Sequence, residues 1–380
     1  MKSSHRRIRT SVWTAAFLGA AVVSLSAAAA AASQAPAGPA FLKGRVHDLA
    51  RPNAGPEERF AAAKAEAAKS GANKTFFAAA MFPAASKIHY DRHGGGDEPY
   101  SVSVDATRIE ISEKSGGGWS VSDGDNAGKP APAVWLLLCD GKTGVLIDAA
   151  VLDPERTYEF SGPPVYWLGN AAGGESLTFI EKLFRANPDS DIQEKILFLI
   201  SCHAEPRVYD ILHKIALEDR DTEVRRSAVF WLGNIGDARS LAGLKEIFRK
   251  DHDPEIREHV IFALSLRKEK EAVVEMIRIA REDGDDSVRE KAVFWLGQKA
   301  SAECVKALKD VILSPTENDQ LKEQAVFAIS QLPNDKAVPM LLDIAKTHKN
   351  ASVRKKAIFW LGQTGDPAAL KFFEEILLKK

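Results

Sequence analysis

The chain has 380 residues, enough for two domains, and a formal charge of −1 at pH 7. A balance this close to neutral disfavours a nucleic-acid partner, because proteins that bind nucleic acids usually carry a basic excess. The three cysteines are an odd number at irregular spacing, and no Cys-x-x-Cys occurs. They predict neither a disulfide framework nor a zinc site.

The first 32 residues have the pattern of a secretory signal peptide. Four basic residues fall within the first nine, and an alanine-rich apolar run follows from Val12 to Ala32. We expect cleavage after Ala32 and a periplasmic or secreted mature chain. Loss of the four basic residues would change its formal charge from −1 to −5. The alternative is an uncleaved membrane anchor, since the run is long enough to span a bilayer.

Residues 33–73 are predicted to form an alanine- and proline-rich linker with one helix. The stretch "GPEERFAAAKAEAAKSG" runs from Gly55 to Gly71, with proline at its start and glycine at its end. The apolar face of this helix consists mostly of alanine. We therefore expect the helix to dock weakly or to stay mobile.

Residues 74–160 are predicted to form a small antiparallel β-domain. Short strand-like runs such as "KTFFAAAMF", "YSVSVD" and "AVWLLLCD" occur here, and glycine-rich turns separate some of them. The segment "LLLCDGKTGVLID" predicts a hairpin that turns near Asp140 and Gly141.

From residue 161 to residue 380 the sequence repeats itself, with the copies "VYWLGN", "AVFWLGN", "AVFWLGQ" and "AIFWLGQ". The aromatic residue before the tryptophan position recurs in steps of 32, 32, 32, 32, 33 and 32 residues. These aromatic residues are Tyr166, Phe198, Phe230, Phe262, Phe294, Phe327 and Phe359. A fixed period in this range indicates stacked structural repeats.

Each repeat is predicted to contain two helices. In one second helix Asp221 is a suitable N-cap, and Val224, Ala228 and Leu232 share one apolar stripe. The first helix of the next repeat carries apolar residues at the same helical spacing. Because neither helix can bury its stripe alone, neighbouring repeats must stack.

A column of acidic or amide residues stands four positions before a column of mostly basic residues. The two columns include Asp221, Arg225, Asp253, Arg257, Asp285, Arg289 and Arg354. The stretches "DTEVRRSAVFWLGNIGD" and "DPEIREHVIFALS" resemble HEAT repeats, in the short bacterial form of phycobilisome-lyase-like proteins, over about residues 174–380. The resemblance implies a right-handed α-solenoid that serves as a binding scaffold, without any reaction. It also implies that the two columns form a structural ladder.

Tryptophan occupies alternate repeats only, so the true period is a pair of repeats. The tryptophans are Trp167, Trp231, Trp295 and Trp360, and the intervening repeats carry Leu199, Ala263 and Ala328. A large ring next to a small residue is typical of close packing between neighbours. We therefore expect the tryptophans to lie in the core.

The phenylalanine before each tryptophan position points away from the core stripe of the predicted helix. One interpretation is packing between adjacent repeats. The other is an exposed apolar strip that binds a protein or peptide. The candidate binding strip is Phe198, Phe230, Phe262, Phe294, Phe327 and Phe359.

The sequence predicts neither a metal site nor an enzymatic active site in this chain. The segment "HYDRH", from His89 to His93, adjoins a glycine run that predicts a loop, so we expect no metal site there. No catalytic residue and no cofactor are predicted. The histidines of the repeats, His203, His213, His252 and His259, are expected on the solvated surface.

These observations predict an exported, non-enzymatic scaffold that binds a protein or peptide through the solenoid surface. One alternative is a lyase-like enzyme or a chaperone for a tetrapyrrole-type ligand, because relatives of such repeats help to attach a tetrapyrrole. Another is a purely structural envelope protein. A membrane partner is expected only if the signal segment is uncleaved, and the oligomeric state stays open.

Overall fold

The computed structural model describes residues 40–70, 74–85, 89–91, 100–105, 108–112, 118–120, 130–235 and 237–378. The predicted signal peptide, residues 1–32, lies outside these ranges, as does His93. The chain divides into two compact units, Met1–Ala238 and Arg239–Lys380. The first unit contains every strand described and five helices, and the second contains helices alone.

Along the chain of the first unit, two of the described strands precede the first helix and nine follow it. They are β1 (Leu42–Lys43), β2 (Val46–Asp48), β3 (Thr75–Ala84), β4 (His89–Asp91), β5 (Tyr100–Asp105), β6 (Arg108–Ser112), β7 (Gly118–Ser120), β8 (Ala131–Asp140), β9 (Leu146–Leu152), β10 (Tyr158–Phe160) and β11 (Val165–Asn170). Its helices are α1 (Pro56–Ser70), α2 (Gly173–Ala186), α3 (Ser190–Cys202), α4 (Arg207–Glu218) and α5 (Thr222–Asn234).

The two larger sheets are mixed, and not purely antiparallel as the sequence predicts, whereas β4 and β7 form an antiparallel pair. A five-stranded sheet has the order β2-β11-β3-β8-β9, and a four-stranded sheet has the order β1-β10-β5-β6. Strand β11 is parallel to β2 and β3, and β10 is parallel to β1 and β5. The predicted hairpin is confirmed, because β8 and β9 are antiparallel neighbours and the Asp140 carboxylate accepts hydrogen bonds from the backbone of the turn.

The five-stranded sheet is buried on both faces. On one face Phe77, Leu136 and Trp167 join a core shared with side chains of the four-stranded sheet, such as Tyr158. On the other face Phe76, Trp135 and Tyr166 are buried beneath helices. Burial on both faces explains why β3 and β8 are continuous apolar runs without the alternation typical of a half-exposed strand.

Helix α1 docks firmly, although the sequence predicts weak docking. Phe60 is buried and its ring lies 6.3 Å from the ring of Phe76 and 5.2 Å from the ring of Phe179. The buried Arg59 donates hydrogen bonds to the carbonyl oxygens of Leu168 and Asn170. One aromatic and one arginine therefore anchor a face that is otherwise alanine.

The segment "VYWLGN" is a strand and not a copy of the helical repeat. It forms β11, between β2 and β3. Trp167 packs edge-on against Phe41 in the core between the sheets, and Tyr166 stacks on His47 on the opposite face. The predicted boundaries shift accordingly. The sheets include residues 42–48 of the predicted linker 33–73, and residues 165–170 belong to the sheet and not to the predicted solenoid 161–380.

The helices of the second unit continue the two-helix pattern of α2 to α5. They are α6 (Ser240–Lys250), α7 (Pro254–Leu266), α8 (Lys270–Glu282), α9 (Asp286–Lys299), α10 (Ala302–Leu313), α11 (Asp319–Ser330), α12 (Asn334–Thr347), α13 (Ala351–Thr364) and α14 (Pro367–Leu378). The expected fold class, an α-solenoid of two-helix repeats preceded by a β-region, is confirmed. No helix among the described residues is long and apolar enough to cross a membrane.

Second helices of successive repeats pack directly on one another in the second unit. Helix α7 packs on α9, α9 on α11, and α11 on α13. The first helices of successive repeats, such as α8 and α10, make fewer contacts with each other. We call the surface formed by α7, α9, α11 and α13 the second-helix face.

A buried histidine links the sheet to the repeats within the first unit. His203 follows α3 and is wholly buried, although the sequence predicts a solvated side chain. Its ring stacks on Phe82 of β3 with the centroids 4.3 Å apart. Since the carbonyl oxygen of Leu199 can only accept, Nδ1 of His203 carries the proton and donates to it over 2.8 Å. Nε2 then accepts from the Ser176 hydroxyl at 2.8 Å.

Burial lowers the pKa of His203 to about 4, well below its usual value. Below about pH 6.5 the unfolded chain takes up a proton that the folded protein excludes, so the free energy of unfolding falls as the pH falls. At pH 5 the loss amounts to about 2 kcal/mol relative to pH 7.5. We expect this contribution to be absent in His203→Gln, whose amide can both donate and accept. Urea unfolding of the parent and the variant at pH 5 and pH 7.5 measures the change in the free energy of unfolding. An equal change in both proteins would contradict the assignment of this pH dependence to His203.

Candidate functional site

The acidic or amide column of the repeats caps the second helices. The side chains of Asp189, Asp221, Asp253, Asp285, Asn318 and Asn350 each accept a hydrogen bond from the first turn of the helix that follows. The hydrogen bonds with Ser287 lower the pKa of Asp285. A side-chain oxygen at this position satisfies a backbone donor that the helix itself leaves unpaired.

The basic column of the second unit does not pair with residues four positions earlier. Arg257 makes its ion pair with Asp283, and its guanidinium lies 4.5 Å from the ring centroid of Phe248. Arg289 bonds to Glu317 and to the carbonyl oxygen of Ala280.

The other two arginines of the ladder bond to backbone carbonyls at the ends of first helices. Arg354 donates to the carbonyl oxygens of His348 and Lys349, and in the first unit Arg225 donates to that of Asp219. The basic column therefore ties helix ends together, and it presents no free guanidinium row to a ligand.

An aromatic strip runs along the second-helix face of the second unit. It consists of Phe262, Trp295, Phe294, Phe327, Trp360 and Phe359, in order of contact. The successive ring centroids are 4.6, 5.0, 6.2, 5.1 and 5.0 Å apart. Distances in this range are typical of interacting aromatic side chains. The six rings therefore form one continuous row across four helices.

The rings of the strip are partly exposed. Phe359 is 56% exposed, and the other five rings are neither fully buried nor fully exposed. Within the described residues, the buried Nε1 of Trp360 has no hydrogen-bond partner. The tryptophans of the helical repeats thus differ from the core position that the sequence predicts. Each instead lies against the phenylalanine of the preceding repeat.

A smaller aromatic group occupies the same register in the first unit. Trp231 of α5 lies 5.1 Å from Phe198 of α3 and 4.8 Å from Phe230, measured between ring centroids. All three side chains are partly buried. The structure therefore places Phe198 and Phe230 beside a tryptophan within the first unit, and the other four predicted phenylalanines in the strip of the second unit.

A close approach of two helices explains why tryptophan and glycine alternate with alanine and serine. A methyl group at Gly297 would lie 2.7 Å from the Cβ of Ala328 and 3.0 Å from its carbonyl oxygen. The close contact between α9 and α11 therefore requires glycine at position 297 and a residue as small as alanine at position 328. The next contact, between α11 and α13, holds the rings of Phe327 and Trp360. Narrow and wide contacts thus alternate.

Polar side chains border the strip on both sides. One turn before the phenylalanines lie Glu258, Glu290 and Glu323, of which Glu258 pairs with Lys291 at 3.1 Å and Glu323 with Lys356 at 3.7 Å. Burial raises the pKa of Glu290 above its usual value. One turn after the phenylalanines lie the exposed amides of Gln298, Gln331 and Gln363. An apolar row with polar borders is the usual composition of a binding surface.

In the first unit, one acidic and one basic side chain, Glu194 and Arg226, occupy the same position relative to the phenylalanines. Glu194 lies one turn before Phe198, and burial, followed by the carboxylates of Glu223 and Asp191, raises its pKa to about 7. Arg226 donates to both carboxylate oxygens of Glu223, at 2.7 and 2.9 Å. Glu194 is therefore partly protonated at neutral pH.

The Ser176–His203 pair has the spacing of a nucleophile and its base, but it is sealed. The Ser176 hydroxyl also accepts a hydrogen bond from Nε1 of Trp135 at 3.1 Å, and both Ser176 and His203 are fully buried. No substrate can reach the hydroxyl in this structure. Across the described parts of the chain, no group of three or more metal-ligating side chains could hold a metal ion, and the three cysteines are free.

A family model described as HEAT repeats matches residues 177–265 and 306–380. These residues are HEAT repeats. Proteins of this kind commonly mediate protein–protein interactions. No curated protein matches the sequence.

Several solved structures match about half of the chain. Human deoxyhypusine hydroxylase in complex with glycerol matches with 19% identity over 53% of this chain and 78% of its own, with a TM-score of 0.25. The complex of CpcE and CpcF of phycocyanin lyase from Nostoc sp. PCC7120 matches with 17% identity over 52% of this chain and 79% of its own, with a TM-score of 0.31. An Escherichia coli structural genomics target matches with 16% identity over 55% of this chain and 77% of its own, with a TM-score of 0.33. A likeness at this level carries no inference about function.

Two glycines of the repeats should respond oppositely to the same substitution. Gly297→Ala places a methyl against the Ala328 backbone, and we expect a loss of about 1–3 kcal/mol in the free energy of unfolding. Gly362→Ala meets no atom closer than the Phe373 Cζ at 3.9 Å, so the better helix propensity of alanine should stabilise the protein by up to about 1 kcal/mol. Urea unfolding of both variants measures the difference. Equal effects would show that the α9–α11 contact is not close.

Proposed function

We propose that this chain is an exported, non-enzymatic scaffold that binds a protein or peptide through the aromatic strip of its second unit. The observation that carries the proposal is the unbroken row of six partly exposed rings from Phe262 to Phe359. A contiguous apolar surface of this kind is uncommon where nothing binds. Aromatic anchors also supply much of the free energy of protein interfaces.

The way the rings are held supports a binding role. Phe294 stacks on Phe327 of the next repeat, with the ring planes 16° apart, and Trp295 and Trp360 each touch a phenylalanine on either side. Rings fixed by their neighbours lose little side-chain entropy when a partner covers them. The strip is therefore preorganised for binding.

The borders of the strip favour a polypeptide partner. The exposed amides of Gln298 and Gln363 make no hydrogen bond with another described residue, and each amide can both donate and accept. A peptide backbone offers the same two functions in every residue. A segment lying along the rings could thus pair its backbone with the glutamines while its apolar side chains contact the aromatic row.

The difference in exposure between the Ser–His pair and the aromatic strip also favours a binding role over a catalytic one. The one Ser–His pair found above lies beneath helices and sheet, with both side chains fully buried. The most prominent exposed feature of the second unit's repeats is apolar, and apolar surface supplies affinity and not reactivity.

Truncating the strip should weaken binding without unfolding the protein. We expect Phe359→Ala and Phe327→Ala each to weaken the complex by about 1–2 kcal/mol or more, which corresponds to roughly five- to thirtyfold in affinity. The partner would be captured from an envelope extract with the mature chain, identified by mass spectrometry, and titrated by calorimetry. Because Phe359 is 56% exposed, its truncation should cost less thermal stability than Trp295→Ala.

Leu313→Ala is the matched control. Leu313 is 71% exposed on the first helix α10, away from the second-helix face, so this variant should bind as the parent does. A partner that binds the Phe359→Ala and Phe327→Ala variants as tightly as the parent would refute the strip as the binding site.

Export makes a separate prediction. The basic start and the apolar run predict cleavage near Ala32, so N-terminal sequencing of the periplasmic or secreted protein should begin near Ser33 or Pro36. A full-length chain found only in the cytoplasm would contradict export while leaving the strip proposal intact.

A further inference from the structure

Three glutamates of the second unit occupy the same position, one turn before the phenylalanine of a second helix. They are Glu258 of α7, Glu290 of α9 and Glu323 of α11, and all three are partly buried. On an α-helix a residue four positions before another lies about 40° from it around the axis, so each carboxylate borders the aromatic strip. Each glutamate thus lies where both the next repeat and a bound partner can reach it.

Two of these glutamates are neutralised by a lysine of the next repeat. Glu258 pairs with Lys291 at 3.1 Å, and Glu323 pairs with Lys356 at 3.7 Å. Both lysines stand three residues before the phenylalanine of their own helix. The contacts between α7 and α9 and between α11 and α13 therefore carry a closed ion pair at the edge of the strip.

The contact between α9 and α11 lacks this lysine. Gln324 stands there instead, three residues before the phenylalanine of α11. The side chain of Gln320, one turn earlier, donates a hydrogen bond to Glu290. An amide can donate a hydrogen bond but supplies no positive charge. Among the residues that the structure describes, Glu290 makes no ion pair.

The charge of Glu290 is thus left uncompensated beside an apolar surface. Burial raises the pKa of its carboxyl, the hydrogen bond from Gln320 opposes the rise, and the carboxylate of Asp286 adds to it. Asp286 itself accepts hydrogen bonds from Arg289 and Asn318, at 3.3 and 3.1 Å. A partly desolvated carboxylate gains more from a nearby cation than a carboxylate in open water does, because the charges interact through a lower dielectric constant.

The rings beside this carboxylate also suit a basic side chain. Phe294 and Phe327 stack across the α9–α11 contact with their centroids 6.2 Å apart, and both are partly exposed. The apolar stem of a lysine or arginine can lie on such rings while its charged end reaches a carboxylate. The ring faces themselves attract a cation. The chain contains one such arrangement, since the guanidinium of Arg257 lies 4.5 Å from the ring centroid of Phe248 while it keeps its ion pair.

We propose that the segment bound along the aromatic strip carries a lysine or arginine whose charge pairs with Glu290. This inference rests on the proposed function, because it concerns the partner that covers the strip. The basic residue of the partner lies among apolar residues that contact Phe294 and Phe327. Glu290 selects partners that carry it, since a neutral or acidic residue would leave the carboxylate desolvated without a counter-charge. Glu258 and Glu323 add little selectivity, because a lysine already neutralises each of them.

Peptides selected from a random dodecapeptide phage library against the purified mature chain provide the probe. Those whose affinity falls at least about fivefold in Phe327→Ala bind through the strip. They are synthesised with a fluorescent label and titrated by fluorescence anisotropy. We expect them to share a lysine or arginine, and its replacement by glutamine should weaken each peptide about tenfold, as loss of a hydrogen bond between charged groups does.

Variants of the chain separate the charge of Glu290 from its shape. Glu290→Gln should weaken the strip-binding peptides about tenfold. Glu290→Lys should instead favour peptides in which the basic residue is changed to glutamate. Gln324→Lys keeps the carboxylate but supplies the lysine that the neighbouring contacts have, so it should also weaken the basic peptides.

Glu323→Gln is the matched control. Glu323 holds the same position on the next second helix, and Lys356 already neutralises it, so the affinity should change by less than about twofold. Circular dichroism should show the parental fold in every variant, because none of the substituted side chains is fully buried.

The outcomes separate this inference from the proposed function. Peptides that lose affinity in Phe327→Ala but bind Glu290→Gln as tightly as the parent would overturn the inference and leave the strip as the binding site. Equal losses in Glu290→Gln and Glu323→Gln would also overturn it, because the glutamates would then attract cations in general. A library that gives no peptide sensitive to Phe327→Ala would contradict the proposed function, and the inference with it.

Discussion

The close approach of neighbouring second helices determines which residues the other positions of a repeat can accept. Where α9 meets α11, Gly297 and Ala328 leave no room for a further methyl group. Protein interiors are packed at nearly crystalline density, so a narrow contact at one position must be matched by larger groups beside it. Here the larger groups are the paired rings, and they emerge at the second-helix face because the contact between the helix axes is already filled.

This arrangement gives the aromatic strip two properties at once. Each ring is held by a neighbour in the same or the adjacent repeat, which fixes its orientation. Each ring also keeps part of its surface in water, so apolar area remains to be buried by a partner. Packing between repeats and availability for binding are therefore not alternatives for these side chains. The same phenylalanine packs against its neighbour and keeps apolar area exposed, a combination that the helical wheel of a single helix cannot reveal.

The sequence predicts the features that depend on period and fails where a contact is distant in the chain. The 32-residue steps locate the helices, and Asp221 marks the start of one of them as expected. The segment "VYWLGN" shares its letters with the repeats but forms β11, since a short apolar run buried on both faces has no period that separates strand from helix. No local pattern indicates that the ring of His203 stacks on Phe82, more than a hundred residues earlier.

The alternation of narrow and wide contacts also limits how such a chain can grow or shrink. Gly297 of a tryptophan-bearing helix faces Ala328 of the next helix, which lacks tryptophan. Removal of the single repeat that contains α11 would place the tryptophan-bearing α13 against α9 and bring an indole to the spot where even a methyl group does not fit. Removal or insertion of two repeats together keeps every contact as it is. The array can therefore gain or lose repeats only two at a time. A pair of repeats is the smallest unit that recombination could exchange between such proteins without repacking their interior.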